Sequence, residues 1–261
     1  MDCPVVSPWV RYWFRRYARG YVRKHFHALR MAPLPEGFPG DPTAPEPLIV
    51  FMNHASWWDP LTALLLAERY WSHRPVYAPM DAAALRRYPF LRRLGVFGVE
   101  LGSLAGALAF LRTAAEVLRV PESILWLTPQ ARFADVRERP VTFARGLAHL
   151  VRRLEHGFLV PLAVEYVFWE ERTPEILARF GSVLSVAELS TGSPQAVQAR
   201  LQTALQAAMD ELAGDAVARR INRFETLLSG RVGVGGIYDW WRRLRAAAGG
   251  NRFEPHHGRP V

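Results

Sequence analysis

Residues 48–60 read Leu48-Ile49-Val50-Phe51-Met52-Asn53-His54-Ala55-Ser56-Trp57-Trp58-Asp59-Pro60. The run opens with five consecutive apolar residues, which predict a short strand buried on both faces. Pro60 suits the first turn of an α-helix, and Asp59 before it is predicted to be the N-cap. A buried strand that passes through a turn into a helix is the repeating unit of α/β folds.

The same alternation continues through the following residues. Strands are predicted at 48–52, 76–78, 96–99, 123–128 and 158–167, and helices at 60–71, 81–93, 103–119 and 145–156. Ser103 is predicted to cap its helix, and Pro161 to interrupt its strand. Residues 175–186 fit either a helix or a strand. This pattern predicts an α/β fold with a largely parallel central sheet flanked by helices, an N-terminal amphipathic helix and C-terminal helices.

Residues 8–31 have the composition of an amphipathic helix, with arginines on one arc and aromatic residues on the opposite arc. One interpretation is a surface helix whose aromatic side chains pack on the domain. The other is an interfacial helix on an anionic membrane surface, with aromatics at the acyl boundary and arginines on head groups. The residues predicted to contact the membrane are Trp13, Phe14, Tyr17, Arg11, Arg15 and Arg19.

Four regions are predicted along the chain. They are an amphipathic membrane-surface helix at 1–31, a Pro-rich linker at 32–47, an α/β domain at 48–190 and a C-terminal helical extension at 191–261. In the extension, the pattern from Ser193 to residue 228 is helical and residues 230–236 are rich in glycine. Residues 238–248, with Trp240 and Trp241, are predicted to form a short helix.

Composition narrows the cellular setting. The chain has 261 residues and a net charge of +9, which predicts an anionic partner such as lipid head groups, nucleic acid or an acidic carrier protein. Its single cysteine, Cys3, predicts no intramolecular disulfide and a reducing compartment. The most apolar window, 94–111, contains Glu100 and several glycines, so it is not predicted to span a membrane. We therefore expect a peripheral protein on the cytoplasmic side of a membrane.

His54 and Asp59 are the candidate catalytic pair. They follow the carboxyl end of a predicted parallel strand, where α/β sheets place their sites. They lie five positions apart, so their side chains meet only if the intervening residues form a turn. A carboxylate beside a histidine makes a general base that can deprotonate an acceptor hydroxyl. The alternative is a capping aspartate beside an ordinary loop histidine.

The run from Asn53 to Asp59 resembles the N-H-x-S-x-x-D motif of the glycerolipid acyltransferase family, the lysophosphatidic acid acyltransferase-like enzymes. The resemblance implies that His54 is the general base and Asp59 its partner. It also implies transfer of a fatty acyl group from acyl-CoA or acyl-carrier protein to a hydroxyl of a lipid acceptor. No cofactor and no metal are expected.

Two further family motifs are altered in this chain. Where the family has G-x-x-F-I-D-R, this chain keeps an acidic residue as Glu100 but has Leu101 in place of the arginine. Where the family has F-P-E-G-T-R, the chain reads Thr128-Pro129-Gln130-Ala131-Arg132-Phe133. The resemblance makes Arg132, Gln130 and Glu100 candidates for binding the acceptor or stabilising charge. A V-P motif is matched at residues 160–164, and the late-strand motif favours a strand at 175–180.

Several functional alternatives remain open at this point. Trp57 and Trp58 are predicted either to line the entrance for the acyl chain or to pack in the core. The acceptor is a lysophospholipid, as in phospholipid biosynthesis, or a non-phosphorylated lipid such as a carotenoid glycoside. The resemblance implies that the phosphate-binding arginines of the family are lost or displaced here, so lysophosphatidic acid is predicted to be a poor acceptor, or to be bound by a rearranged site in which Arg132, Arg137 or Arg139 compensates. A non-catalytic lipid- or nucleic-acid-binding module is the remaining class, and the absence of a nucleic-acid motif disfavours the second kind.

Overall fold

The fold is built on a mostly parallel β-sheet with helices on both faces. The computed structural model describes residues 4–40 and 45–231. Its strands are β1 Ala28–Met31, β2 Leu48–Met52, β3 Val76–Asp81, β4 Val96–Val99, β5 Ile124–Leu127, β6 Phe158–Val167, β7 Glu175–Phe180, β8 Leu184–Ser185 and β9 Glu225–Ser229. Its helices are α1 Pro8–His25, α2 Asp59–Trp71, α3 Ala82–Arg87, α4 Leu104–Leu118, α5 Gly146–Val151, α6 Val186–Leu189 and α7 Pro194–Val217, with 3₁₀ turns at Pro89–Leu94 and Ile221–Arg223.

The described residues form nine strands in the order β4-β3-β5-β2-β6-β7-β1-β9, with β8 paired to β6. Strands β4, β3, β5, β2 and β6 run parallel to one another. Strand β7 is antiparallel to β6, β1 is parallel to β7, and β9 is antiparallel to β1. The predicted α/β class with a largely parallel sheet is confirmed.

Strand β2 lies inside the sheet and faces an apolar layer on each side. Ile49 and Phe51 pack in the layer shared with α4, α5 and α7. Leu48, Val50 and Met52 pack in the layer shared with α1 and α2. A strand buried on both faces needs a continuous apolar run rather than an alternating one, which is why these five residues are all apolar.

The N-terminal helix is shorter than predicted. It ends at His25 rather than at residue 31, and Phe26 already has extended backbone. Ala28–Met31 instead forms β1, a fully buried strand between β7 and β9. The buried guanidinium of Arg30 donates hydrogen bonds there to Glu175 and Thr226. Backbone pairing on both edges outweighs the helical propensity of this short segment.

The C-terminal segment also differs from the helical prediction. Helix α7 ends at Val217, and the strand Glu225–Ser229 pairs with β1. Two segments predicted to be helical throughout therefore each contribute a strand to the same edge of the sheet. The predicted helix at 238–248, with Trp240 and Trp241, and most of the glycine-rich segment lie outside the described residues.

Smaller differences have local causes. The helix predicted at 81–93 is split, because Pro89 starts a separate 3₁₀ turn after α3. Strand β6 is not interrupted by Pro161, which pairs in parallel register with Phe51. Ser103 caps α4 as predicted, its hydroxyl accepting from the Gly106 N–H at 2.9 Å. The ambiguous segment is a strand over Glu175–Phe180, as the late-strand motif favours.

Candidate active site

The candidate site lies at the carboxyl edge of the parallel strands, in the turn between β2 and α2. Asn53 fixes the start of this turn to β6. Its side-chain N–H donates to the Val164 carbonyl at 2.9 Å, and its side-chain oxygen accepts from the Val164 N–H at 2.8 Å. The buried amide therefore replaces the backbone pairing that β2 loses where it ends.

The turn brings His54 and Asp59 together. His54 Nδ1 lies 2.7 Å from Asp59 Oδ2, and the Ser56 N–H donates to the same oxygen at 3.0 Å. The Asp59 side chain is 1% exposed, whereas that of His54 is 21% exposed. An ionised carboxylate only accepts hydrogen bonds, so Nδ1 carries the proton and Nε2 keeps its lone pair for a substrate hydroxyl.

Asp59 is not the N-cap that the sequence predicts. Helix α2 begins at Asp59 itself, and the cap position is Trp58, which makes no side-chain capping bond. The carboxylate is turned away from the free N–H groups of its helix toward His54, Ser56 and Tyr166. The prediction of a capping role is wrong because the carboxylate has these other donors.

Tyr166 completes the surroundings of Asp59. Its hydroxyl donates to Asp59 Oδ1 at 2.7 Å and lies 3.2 Å from Thr62 Oγ1. Burial, followed by the charge of Asp59, raises the pKa of Tyr166 well above its usual value, so the phenol remains a donor. Sequence reasoning missed Tyr166, which is 107 positions from Asp59 and has no local motif around it.

The loop after β5 holds the backbone of His54 from two sides. Gln130 Oε1 accepts from the His54 N–H at 2.9 Å, and the Ala134 N–H donates to the His54 carbonyl at 2.9 Å. Gln130 is buried, so the contact it makes in this structure is a backbone anchor for the candidate base. Ala131 has φ +54°, a left-handed conformation that favours glycine, at the position where the family motif has glycine.

Arg132 and Phe133 of this loop contact different groups. The Arg132 guanidinium donates to Glu138, and this hydrogen bond raises the pKa of Arg132. The Phe133 ring instead lies against His54, with 4.2 Å between ring centroids, and is 59% exposed. The surface beside the candidate base is therefore apolar where the family motif has its arginine.

The remaining predicted site residues lie around this centre. Glu100 and Leu101 are exposed in the turn between β4 and α4, at the same carboxyl edge of the sheet. Trp57 is 65% exposed. Trp58 is half-buried against Phe26 and Tyr21, with ring centroids 4.7 and 5.4 Å away. The two neighbouring tryptophans thus have separate environments, one open and one packed under α1.

Three arginines of α1, Arg11, Arg15 and Arg19, have partners on the body of the protein. Arg11 and Arg15 donate to the Ser72 carbonyl at 3.1 and 3.4 Å, and Arg19 pairs with Glu68 at 3.2 Å. Burial, with the neighbouring charge of Arg15, lowers the pKa of Arg11 to about 10. The arginines predicted to reach lipid head groups therefore contact α2 and the residue after it.

The opposite face of α1 carries four exposed aromatic side chains, which we call the aromatic stripe: Trp9, Tyr12, Trp13 and Tyr17. Phe14, also predicted to contact a membrane, is half-buried and packs against Phe90, with 5.8 Å between ring centroids. No helix in the described ranges combines the length and the apolarity that crossing a membrane requires.

Comparison with protein families identifies the family of this chain. Residues 36–165 match the family model described as Acyltransferase, a match that includes His54 and Asp59. Comparison with curated proteins gives no match. The matched region spans β2 through most of β6 and thus contains the whole turn that forms the candidate site. This chain therefore belongs to the acyltransferase family, and it is an acyltransferase enzyme.

Proposed function

We propose that the protein is a peripheral O-acyltransferase on the cytoplasmic face of a membrane, where it transfers a fatty acyl group from acyl-CoA or acyl-carrier protein to a lipid hydroxyl. One observation carries the proposal. His54 Nδ1 is held at 2.7 Å from the buried carboxylate of Asp59, and His54 is still partly open to solvent. A base must be both oriented and accessible, and His54 meets both requirements.

The proposed reaction needs no group beyond the two substrates. His54 Nε2 takes the proton of the acceptor hydroxyl while its oxygen attacks the thioester carbonyl carbon, forming the new C–O bond. Asp59 stabilises the resulting imidazolium. The tetrahedral intermediate then collapses, the C–S bond breaks, and the imidazolium returns the proton to the departing thiolate. The products are an ester and a free thiol.

Arg132 is our candidate for stabilising the oxyanion of that intermediate. Its only ion-pair partner among the described residues is Glu138, and both side chains are substantially exposed. Exposed ion pairs exchange at little cost, so the guanidinium can leave Glu138 for a developing negative charge. Gln130 is not assigned to this step, because its side-chain oxygen already accepts from the His54 N–H.

We propose an uncharged lipid alcohol as the acceptor, in preference to lysophosphatidic acid. Leu101 and Phe133 stand at two positions where the family motifs have arginine, and each is 59% exposed. Neither side chain can donate a hydrogen bond to phosphate. The Phe133 ring beside His54 offers an apolar wall to the chain that carries the acceptor hydroxyl. A glycosylated carotenoid or a monoacylglycerol fits this class.

Membrane contact is proposed through the aromatic stripe rather than through Arg11, Arg15 and Arg19, which have partners on the protein. Tryptophan and tyrosine are the side chains that favour the boundary between head groups and acyl chains. The stripe adjoins the site through Tyr21, the next aromatic residue along the helix, which contacts Trp58. Trp57, exposed one residue before Trp58, is proposed to lie at the acyl entrance.

The direct test is His54→Ala in an assay of thiol release from palmitoyl-CoA with monoacylglycerol in mixed vesicles. We expect kcat to fall on the order of 10²–10⁴-fold, because a general base contributes that much. Folding should be preserved, since His54 lies in a turn and not in either apolar layer. His149→Ala, an exposed histidine on α5, is the matched control and should retain full activity. Turnover of His54→Ala within tenfold of the unmodified enzyme would exclude His54 as the base.

A further inference from the structure

We infer that Tyr166 is a positioning residue for the His54–Asp59 pair, through the hydrogen bond that its hydroxyl donates to Asp59. The inference rests on the proposed function, because it assigns Tyr166 a role in the same proton transfer. It begins from the separate partners of the two Asp59 oxygens. Oδ2 receives His54 Nδ1–H and the Ser56 N–H, whereas Oδ1 receives only Tyr166 among the described residues.

The direction of each hydrogen bond follows from the groups involved. Ionised Asp59 has no proton to donate, so Tyr166 must donate its single hydroxyl proton to Oδ1. The contact between Tyr166 and Thr62 must then have Thr62 as the donor. The result is an ordered chain from Thr62 to Tyr166 to Asp59, with His54 donating from the other side.

Strand β6 holds both ends of the catalytic turn by this arrangement. Val164 bonds with the Asn53 side chain at the start of the turn, and Tyr166, two residues along the strand, bonds with Asp59 at its end. The Tyr166 ring is itself fixed against Phe26, with 5.8 Å between ring centroids. A strand inside the sheet is a rigid frame, so the carboxylate cannot rotate without breaking a bond to β6.

Loss of the hydroxyl has two predictable effects. Oδ1 becomes a buried acceptor without a donor, so Asp59 keeps its bonds from His54 and Ser56 on Oδ2 but is held less rigidly. Without the Tyr166 hydroxyl, the negative charge of the Asp59 carboxylate also shifts toward Oδ2. This added charge beside His54 stabilises the imidazolium form. A base that stays protonated to higher pH is active only at higher pH. The acid limb of the kcat/KM profile should therefore move upward.

The experiment compares Tyr166→Phe with Tyr70→Phe in the palmitoyl-CoA and monoacylglycerol assay across pH. Tyr166→Phe keeps the ring and removes one oxygen. Tyr70→Phe removes a buried hydroxyl that has no hydrogen-bond partner in the described part of the chain, which makes it a matched control. We expect Tyr166→Phe to lower kcat about tenfold, the rate equivalent of one hydrogen bond to a charged group. KM should stay unchanged and the acid limb should shift upward, while Tyr70→Phe should behave as the unmodified enzyme.

A second readout does not depend on turnover. The proton on His54 Nδ1, bonded to a carboxylate, should give a low-field proton NMR resonance that is identified by its absence from His54→Ala. Tyr166→Phe should shift or broaden this resonance, and Tyr70→Phe should leave it in place. Thr62→Val, which keeps the Tyr166–Asp59 bond, should give a smaller change than Tyr166→Phe.

The outcomes separate this inference from the proposed function. Unchanged kcat, acid limb and resonance in Tyr166→Phe, with His54→Ala inactive, would overturn the role of Tyr166 alone. A loss of kcat in Tyr166→Phe with the acid limb and resonance unmoved would assign Tyr166 to packing and also overturn the inference. An active His54→Ala would remove the proposed base, and the inference with it.

Discussion

At the scale of single residues, the charged groups of the site differ in how firmly their hydrogen bonds hold them. Asp59 is buried and bonded on both oxygens, so its orientation is settled before any substrate binds. Arg132, in contrast, is exposed and paired only with Glu138 among the described residues. A preorganised carboxylate and an adaptable arginine suit different tasks, the first orienting a base and the second responding to charge that develops later.

The side chains beside His54 should determine which lipid acceptor the enzyme prefers. Monoacylglycerol and lysophosphatidic acid with the same acyl chain differ by one phosphate. We expect kcat/KM for monoacylglycerol to exceed that for lysophosphatidic acid by roughly tenfold or more, because Leu101 and Phe133 provide no phosphate donors. Arg132→Ala should lower turnover of both acceptors by a similar factor, on the order of tenfold, because the oxyanion is common to both reactions.

Arg137→Ala is the matched control for that comparison. Arg137 is an exposed arginine of the same loop, and it pairs with Asp135 at 2.7 Å. Its removal should leave both acceptors unaffected. Preferred use of lysophosphatidic acid would contradict the acceptor class. A loss confined to lysophosphatidic acid in Arg132→Ala would make that arginine a phosphate ligand instead.

At the scale of elements, a buried carboxylate connects α7 to the sheet. Asp215, near the end of α7, accepts from Arg179 of β7 at 2.6 Å and from Arg220 and Arg223 at 3.2 and 3.0 Å. Burial alone would raise the pKa of Asp215, but the hydrogen bonds from these arginines outweigh it and hold the pKa below its usual value. The cluster fixes the turn that leads from α7 into β9.

A stability difference that depends on pH follows from this cluster. Asp215→Asn should lower the free energy of unfolding by about 1–2 kcal/mol at pH 7. A carboxylate with a depressed folded-state pKa stabilises above its unfolded pKa of about 3.9, and this contribution is lost as pH falls through the folded value. Urea denaturation at pH 7 and at successively lower pH should show the two proteins converging in acid.

Asp210→Asn supplies the control for the Asp215 measurement. Asp210 is an exposed aspartate on the same helix, and it pairs with Arg139. Its loss should change the free energy of unfolding by less than about 1 kcal/mol. If the two variants were equally stable at pH 7, the Asp215 cluster would have no special role in holding α7.

The elements also indicate how far sequence reasoning reaches. Strand β2 and the turn to Asp59 were predictable, because the apolar run and the motif are local signals. Strands β1 and β9 were not, since Ala28–Met31 has helix-forming residues and becomes a strand only by pairing with distant segments. The contact between Tyr166 and Asp59 was not predictable from the sequence either. Its role depends on a contact across the sheet, which no local pattern encodes.

At the scale of the whole molecule, the proposed membrane contact would draw on two separate features, the net charge of +9 and the aromatic stripe. Electrostatic attraction is screened by salt, whereas burial of aromatic side chains is not. Deleting residues 1–31 would not separate the two, because it removes β1 from the sheet. Substitutions on the exposed face of α1 leave the fold intact and test the stripe directly.

Trp9→Ser combined with Trp13→Ser should weaken sedimentation with anionic vesicles by roughly tenfold for each tryptophan lost from the interface. Both indoles are more than half exposed, so their removal leaves no cavity in the core. Val217→Ser, at an exposed apolar residue on α7, should bind vesicles normally because α7 packs on the other face of the sheet. High salt should weaken binding of the unmodified protein only in part, since the tryptophans still partition into the interface. Complete release by salt, or equal sedimentation of the double variant, would mean that the stripe does not contact the membrane and that charge alone accounts for any binding.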